Sequence, residues 1–562
     1  MFKLTKYIGP GRVGHFQVRG TTYETPTLIE EIKKSGVSLS YDINDSKADI
    51  LIINEFSFGY TTPAEFVESV LFEASYVRKN YPNILLGISI PLLRDIESTY
   101  SMIRRFSDFD ILVLHNIHDL LLDSKAAAQF LIDLRTIVPQ NQLICMPGVA
   151  TPNVMSFLAF FGVDLFDTSF AKVASSEKMS ALTQWYVLKE GESSSFLYQK
   201  SLEYFTRSLD EFKTHLSLTT IYEYIESIAY TDSTLYSILK RIYIDYSGKI
   251  EQYAPIRAKR SMFTDISFYR PHVLRYIDRV SKISYIPTDC VLLLPCTAKK
   301  PYSKSKTIRT IQKHVPHFHD VQKFVLTSPL GVVPFQLEKT YPANSYDISV
   351  TGMWSYEEKE RLISMLHTIL SPYKSKKILA HVTGPYVEVC NSLKGYNLTF
   401  TATDGLTAPR SIDLLNSELK SIKRISTLKD DYLVLFSYQF GCDGSSFFRG
   451  TKIVGTFSKR IIDEDNVVLA TLDESRGLFS LTLEGAKRVS SLTQKFDVNI
   501  DFEFTTNTLF SVGVDNASDD VRIGDEVIIK RNNTVVGVGV AAMPGAIMKI
   551  SKTGIAVRLR HK

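Results

Sequence analysis

Cysteine is scarce and unpaired. Cys145, Cys290, Cys296, Cys390 and Cys442 are the only five in 562 residues. With no C-x-x-C pair among them, a disulfide framework and a structural zinc site of ordinary spacing are excluded, and a reducing cytoplasm is the compartment that fits. Long apolar runs are missing too. The longest, Val535 to Met548, is short and broken by glycine, and the N-terminal MFKLTKYIGPGRVGHFQ has no apolar core of a signal peptide. The chain is read as soluble, with no membrane partner. Charge of one sign is not in excess: 65 Lys+Arg stand against 60 Asp+Glu, so any grip on nucleic acid has to come from local clusters. There is no internal repeat and no low-complexity tract.

What is present is ordinary globular material, 44% hydrophobic and 22% charged. At about 150 residues per domain it makes three or four domains. From Asp49 to Ser169 short apolar runs (DILIINEF, ILLGISIP, FDILVLHN, QLICMPGV, GVDLFDTS) alternate with amphipathic stretches such as Phe66, Val70, Leu71, Ala74 and Val77. Buried parallel strands alternating with helices give either a (β/α) barrel or an open doubly wound sheet; the pattern does not separate them, and the barrel is favoured. Residues 185–285 read as helix. A second α/β domain begins with the strand CVLLLP, continues through KFVLTSP and a helix opened by the capping box Ser355-x-x-Glu358, and reaches KILAHVTG. DYLVLFSYQFG and KIVGTF then open a strand-rich stretch that runs to the C-terminus. The resulting division is a barrel at 1–245, a helical linker at 246–285, an α/β domain at 286–425, a small α/β or β domain at 426–482 and a β-rich domain at 483–562.

Three segments carry chemistry. Cys296 stands at the carboxyl end of the strand CVLLLP, where α/β sheets bind ligands. From Pro295 to His319 there are six basic residues, Lys299, Lys300, Lys304, Lys306, Arg309 and Lys313, and no acid. Such a field lowers a thiol's pKa and attracts anions, whereas most cysteines of this kind are inert and buried beside a solvated loop; both readings stand on the residues alone. Next come two Pro-bounded loops, Thr327-Ser328-Pro329-Leu330-Gly331 and Tyr346-Asp347, which offer backbone N–H groups and one carboxylate, or are simply tight turns. Last, Lys549 to Lys562 hold Lys549, Lys552, Arg558, Arg560, His561 and Lys562 without an acid, either a phosphate-tracking surface or solvated terminal charge. His314, His317 and His319 match no zinc spacing with Cys296, and no metal is expected.

Together these segments resemble the archaeosine synthase family, archaeal tRNA-modifying relatives of tRNA-guanine transglycosylase. The family's Pro-Cys-x3-Lys-Pro-Tyr-x2-Ser-x2-His signature reads here as Pro295, Cys296, Lys300, Pro301, Tyr302 and Ser305, with Ile308 in place of His. TSPLGVVPFQLEKTYPANSYDISVTGMW (327–354) and SYQFG (437–441) are similar to the family, and LTLEGAKR, RIGDEVII and GIAVRLRH resemble a PUA RNA-binding domain. RVGHFQVRG, ETPTLIE and GVDLFDTS resemble the transglycosylase barrel, whose nucleophilic aspartate falls on Asp167. The transglycosylase Asp-Ser-Gly-Gly-Phe-Gln loop is replaced by NEFSFGY (54–60), and no cysteine between 145 and 290 can supply that family's zinc site.

The resemblance implies an enzyme that adds an amine, free lysine, to the nitrile of 7-cyano-7-deazaguanine in the tRNA D-arm, alongside a radical-SAM partner, with no cofactor of its own and as a homodimer. Cys296 would be the nucleophile and Lys300 would support it. Tyr302 or Ser305 would bond the imidate nitrogen. Ser328, Gly331, Asp347 and Asp167 would bind substrate, and Arg558, Arg560 and Lys562 would bind RNA. The alternatives are a guanine-exchanging transglycosylase acting through Asp167 and a non-catalytic tRNA-binding subunit.

Overall fold

The computed structural model describes residues 2–53, 63–93, 95–148, 151–176, 193–254, 261–262, 265–283, 285, 288–348, 354–420, 422, 428–456, 458–503 and 506–562. The NEFSFGY loop therefore lies outside the described residues. The chain forms two compact units: Met1–Tyr253 with Phe504–Val514 and Ala542–Arg558, and Ala254–Glu503 with Asp515–Ala541 and Leu559–Lys562.

In the first unit, Lys3–Ile8, Gly11–Val18 and Thr21–Thr25 make an antiparallel three-stranded sheet. Seven parallel strands follow, with the order Thr27–Leu28, Leu165–Phe166, Leu143–Cys145, Ile111–His115, Leu85–Pro91, Ile50–Ile53, Leu39–Ser40. From Leu39–Ser40 to Leu165–Phe166 each strand pairs with the next in sequence, and Thr27–Leu28 joins at the far end, Leu165 lying opposite Thr27. Ile50–Ile53 is buried along its whole length, as expected of a strand covered on both faces. A buried charge cluster pins the start of the last strand. Arg12 reaches Asp164 at 2.7 Å and Arg135 pairs with the same carboxylate.

The expected helical stretch is present as Ser194–Leu218, Ile221–Ala229, Ser233–Asp245, Ser247–Glu251 and Pro271–Ser281, part of the range lying outside the described residues. One difference appears inside it. Ser261–Met262 is a short strand, because it finds a parallel partner in Tyr346–Asp347.

The second unit is built around a five-stranded sheet with order Gly331–Pro334, Gln322–Thr327, Cys290–Pro295, Lys377–Ala380, Asn397–Phe400. All pairs are parallel except the first hairpin. The strand Cys290–Pro295 sits in the middle and is wholly buried, which its uninterrupted apolar run requires. The capping box forms as read. Ser355 accepts from Glu358 N at 3.2 Å and Glu358 accepts from Ser355 N at 2.7 Å, opening the helix Tyr356–Leu370.

DYLVLFSYQFG is not a strand. Leu428–Phe440 is a helix that buries Tyr432, Val434, Leu435, Phe436, Tyr438, Gln439 and Phe440, and an apolar run buried nearly all round carries no period to tell a strand from a helix. Beyond it lies a four-stranded antiparallel sheet, Lys452–Val454, Arg460–Ile462, Val468–Asp473 and Leu478–Leu481. Glu526–Arg531 then pairs parallel with Asp497–Ile500 and antiparallel with Thr534–Ala541. The fold is thus mixed α/β with a β-rich C-terminal region. Among the described residues no helix is long and apolar enough to cross a membrane.

Candidate active site

Parallel pairing puts three strand ends side by side. Leu294 lies opposite Val325 and Leu293 opposite Ala380, so the loops after Pro295, Thr327 and Ala380 leave the same edge of the sheet. Cys296 is the first residue past its strand, anchored by its N–H to Leu326 O at 3.0 Å. Its side chain is half-buried. Sγ lies 2.9 Å from the hydroxyl of Tyr386, which is supplied by the helix Pro385–Asn391 after the neighbouring strand. Trp354 packs edge-on against the Tyr386 ring, centroids 4.8 Å apart. Cys145, Cys290 and Cys390 are buried. Burial pushes Cys290 and Cys390 up to about 12 and Cys442 to about 11, and raises Cys145 further.

Of the six basic residues after the strand, Lys300 is the one turned inward. Its ammonium sits 4.0 Å from the centroid of the Tyr346 ring. Burial lowers its pKa, while the fields of Cys296 and Asp347 pull it the other way, so the three groups share one electrostatic site. The remaining five, Lys299, Lys304, Lys306, Arg309 and Lys313, are exposed.

Tyr302 is fully buried beneath this layer. Its hydroxyl is 2.7 Å from that of Tyr346, which is 2.6 Å from Thr327 Oγ1. The chain of hydroxyls fixes the ring under Lys300 and ties the cysteine loop to the next strand. Ser305 opens the next helix. Its oxygen is the N-cap of the helix Lys306–His314, accepting from Ile308 N at 3.2 Å, and the residue is 5% exposed. Ile308, where the family signature has His, is buried on the core side of that helix. His314 bonds Thr310 O at 2.9 Å and His317 bonds Asp320 at 3.0 Å. Among the described residues no group of three His, Cys, Asp or Glu side chains is placed to hold a metal ion.

Ser328 donates its hydroxyl to Glu358, the same carboxylate that closes the capping box. Gly331 has φ +75°, and a Cβ there would meet Met365 Sδ at 2.6 Å, so its smallness serves packing of the hairpin. Asp347 is exposed at the end of its two-residue strand. Beside Thr327 and Ser328 lies a narrow cleft of about 20 Å³, lined also by Phe268, Tyr269, Glu358 and Arg361. The Arg361 guanidinium stacks 4.7 Å from the Tyr269 ring and donates to Phe268 O at 2.8 Å. Composition and motif spacing pointed to neither Tyr386 nor Arg361. The GPY turn ending the strand beside the cysteine strand was the available signal for Tyr386.

In the first unit Asp167 stands just past the last parallel strand, its carboxylate accepting from Gly148 N at 2.8 Å. Its charge reaches His115, at the end of the strand Ile111–His115, and Tyr41. Of the C-terminal cations, Arg558 is exposed opposite Thr508 on the neighbouring strand. Lys562 is exposed as well. Arg560 forms a two-pronged pair with the buried Glu526.

Residues 273–419 match a family described as a domain of unknown function, and residues 500–562 match the PUA domain. The chain is 29% identical over 503 residues to "Archaeosine synthase subunit alpha" of Methanosarcina acetivorans, covering 80% of this chain and 79% of that one. It is 27% identical to "Archaeosine synthase" of Haloferax volcanii, covering 100% of this chain and 99% of that one. It is also 25% identical over 338 residues to "tRNA-guanine(15) transglycosylase" of Methanobrevibacter smithii, covering 56% of this chain and 47% of that one.

Proposed function

From its membership of the archaeosine synthase family, with a PUA domain at its C-terminus, we propose that this chain is a tRNA-modifying enzyme of archaeosine formation whose reaction is amine addition to a nitrile. The substrate is tRNA carrying 7-cyano-7-deazaguanine in its D-arm, and free lysine is the amine. One observation carries the assignment of the site. Cys296 is the half-buried strand-end thiol, with a tyrosine hydroxyl on its sulfur and the Lys300 ammonium beside it.

The arrangement suits a two-step addition. Sulfur adds to the electrophilic nitrile carbon, a C–S bond forms, one C–N π bond opens onto nitrogen, and the nitrogen takes a proton to give a thioimidate. The amine then adds to the same carbon and the C–S bond breaks, returning the thiol and leaving an amidine. Splitting the reaction through a covalent intermediate is ordinary nucleophilic catalysis. Lys300 holds the negative charge that develops as sulfur attacks. Tyr302 serves by holding Tyr346, and hence Lys300, in place. Asp347, whose field reaches Lys300, is a partner for the incoming amine.

Arg558 and Lys562 bind RNA phosphate. The first unit is a transglycosylase-like barrel that holds tRNA rather than exchanging its base, and the active assembly is a homodimer working with a radical-SAM partner. The test is to incubate the purified protein with nitrile-bearing tRNA and lysine, glutamine or ammonium in turn, then digest and weigh the nucleosides. A mass increase with lysine is expected. No increase with any donor would refute the enzyme assignment and leave a tRNA-binding subunit.

A further inference from the structure

We infer that Tyr386 is a catalytic residue, the proton relay between the Cys296 sulfur and the nitrile nitrogen; this rests on the functional reading above. The two groups are 90 residues apart in sequence. They are brought to 2.9 Å because the strands Cys290–Pro295 and Lys377–Ala380 are parallel neighbours and both chains turn back at the same sheet edge.

A hydroxyl in this position faces a specific proton problem. When sulfur adds to a nitrile, the thiol's proton must leave sulfur and a proton must arrive on nitrogen. After addition both atoms are bonded to the same carbon, so a hydroxyl at hydrogen-bond distance from one is within reach of the other. The balanced step is a single relay. The thiol proton passes to Tyr386 Oη as the phenolic proton passes to nitrogen, the C–S bond forms, and one C–N π bond is replaced by the N–H bond. The tyrosine is neutral before and after. In the second half the attacking amine gives up a proton, which passes through Oη to the departing sulfur as the C–S bond breaks, and the imidate nitrogen keeps its own.

The surroundings suit a neutral relay rather than a base. Burial, with the Cys296 field second, raises the Tyr386 pKa, which keeps its proton on at working pH. Trp354 against the ring fixes its orientation. The other hydroxyls of the cluster are engaged with one another, Tyr302 with Tyr346 and Tyr346 with Thr327, and the Ser305 oxygen caps its helix. Tyr386 is therefore the hydroxyl of this cluster that touches the reacting atom.

The test is Tyr386→Phe, which keeps the ring against Trp354. A relay is worth about 10²–10⁴-fold in rate, so conversion of nitrile-bearing tRNA should fall by that factor with tRNA binding unchanged. The variant's rate should also rise with pH where the wild type is flat, because only preformed thiolate can attack once the relay is gone. A merely structural tyrosine would leave the shape of the pH profile alone. As a second readout independent of the tRNA reaction, alkylation of Cys296 by iodoacetamide, corrected with Cys296→Ser, should slow about tenfold or more near neutral pH, since a hydrogen bond to a charged sulfur is lost. An active wild type with an equally active Tyr386→Phe of the same pH profile overturns the relay alone. A wild type inactive with every donor overturns the functional reading and the relay with it. Unchanged alkylation in the variant overturns the contact itself.

Discussion

Arg560→Ala should damage the fold rather than the grip on RNA. Glu526 is 3% exposed and both its oxygens are held by Arg560. Burial pushes its carboxyl up, and Arg560 is the chief influence holding it down. Leaving a buried charge without its partner costs about 3–5 kcal/mol. Part of that is kept, because Leu481 N still donates at 2.8 Å and Arg476 stands 3.9 Å away. A loss of about 2–3 kcal/mol is therefore expected, or roughly 4–12 °C in melting temperature for a unit of this size.

The pH dependence has a definite sign. The folded pKa of Glu526 lies above the unfolded value, so the ionised carboxylate costs stability above that pKa and the cost disappears as pH falls below the unfolded one. Without Arg560 the folded pKa climbs further, so the deficit against wild type should be largest near about pH 8 and shrink toward about pH 5. Thermal unfolding by circular dichroism across that range measures it. A variant with wild-type melting at every pH and a reduced affinity for tRNA would refute the reasoning and make Arg560 a phosphate contact.

Arg558→Ala is the counterpart. The residue is exposed and is expected to leave melting unchanged, to weaken tRNA binding on all sequences alike, and to lower the salt slope of log affinity by about 1. Gly331→Ala forces a side chain into a positive-φ position 2.6 Å from Met365 Sδ and should destabilise by about 1–3 kcal/mol in denaturant titration. Labelled guanine should not enter tRNA in the presence of this protein, and Asp167→Ala should leave amidine formation intact; incorporation that Asp167→Ala abolishes would move the chemistry to the first unit.

The residues show which parts of this layout sequence patterns can carry. Cys290–Pro295 was legible because a six-residue apolar run with no polar interruption suits a strand buried on both faces. The helix Tyr356–Leu370 was legible because its cap is written in two residues three apart. Leu428–Phe440 was misread for the opposite reason: its aromatic and aliphatic residues face core on nearly every side, and period is the only local signal that distinguishes such a run. At the site, Cys296 and Lys300 share one short segment and were found together. Tyr386 and Arg361 reach the same sheet edge from two separate helices, Pro385–Asn391 and Tyr356–Leu370, and that proximity comes from strand order. Ser305 and Arg560 show the reverse. Their residue types suit chemistry and RNA, and the structure adds a helix cap and a pairing with a buried carboxylate that no local pattern announces.

The most direct measurement is capture of the covalent intermediate. Nitrile-bearing tRNA is mixed with the protein in the absence of any amine, and intact mass is read before and after nuclease digestion. Cys296 should carry the modified nucleoside as a thioimidate, released as the amidine when lysine is added, and Cys296→Ser should bind the tRNA, form no adduct and make no amidine. Near-normal turnover by Cys296→Ser would contradict covalent catalysis and put direct attack by the amine in its place.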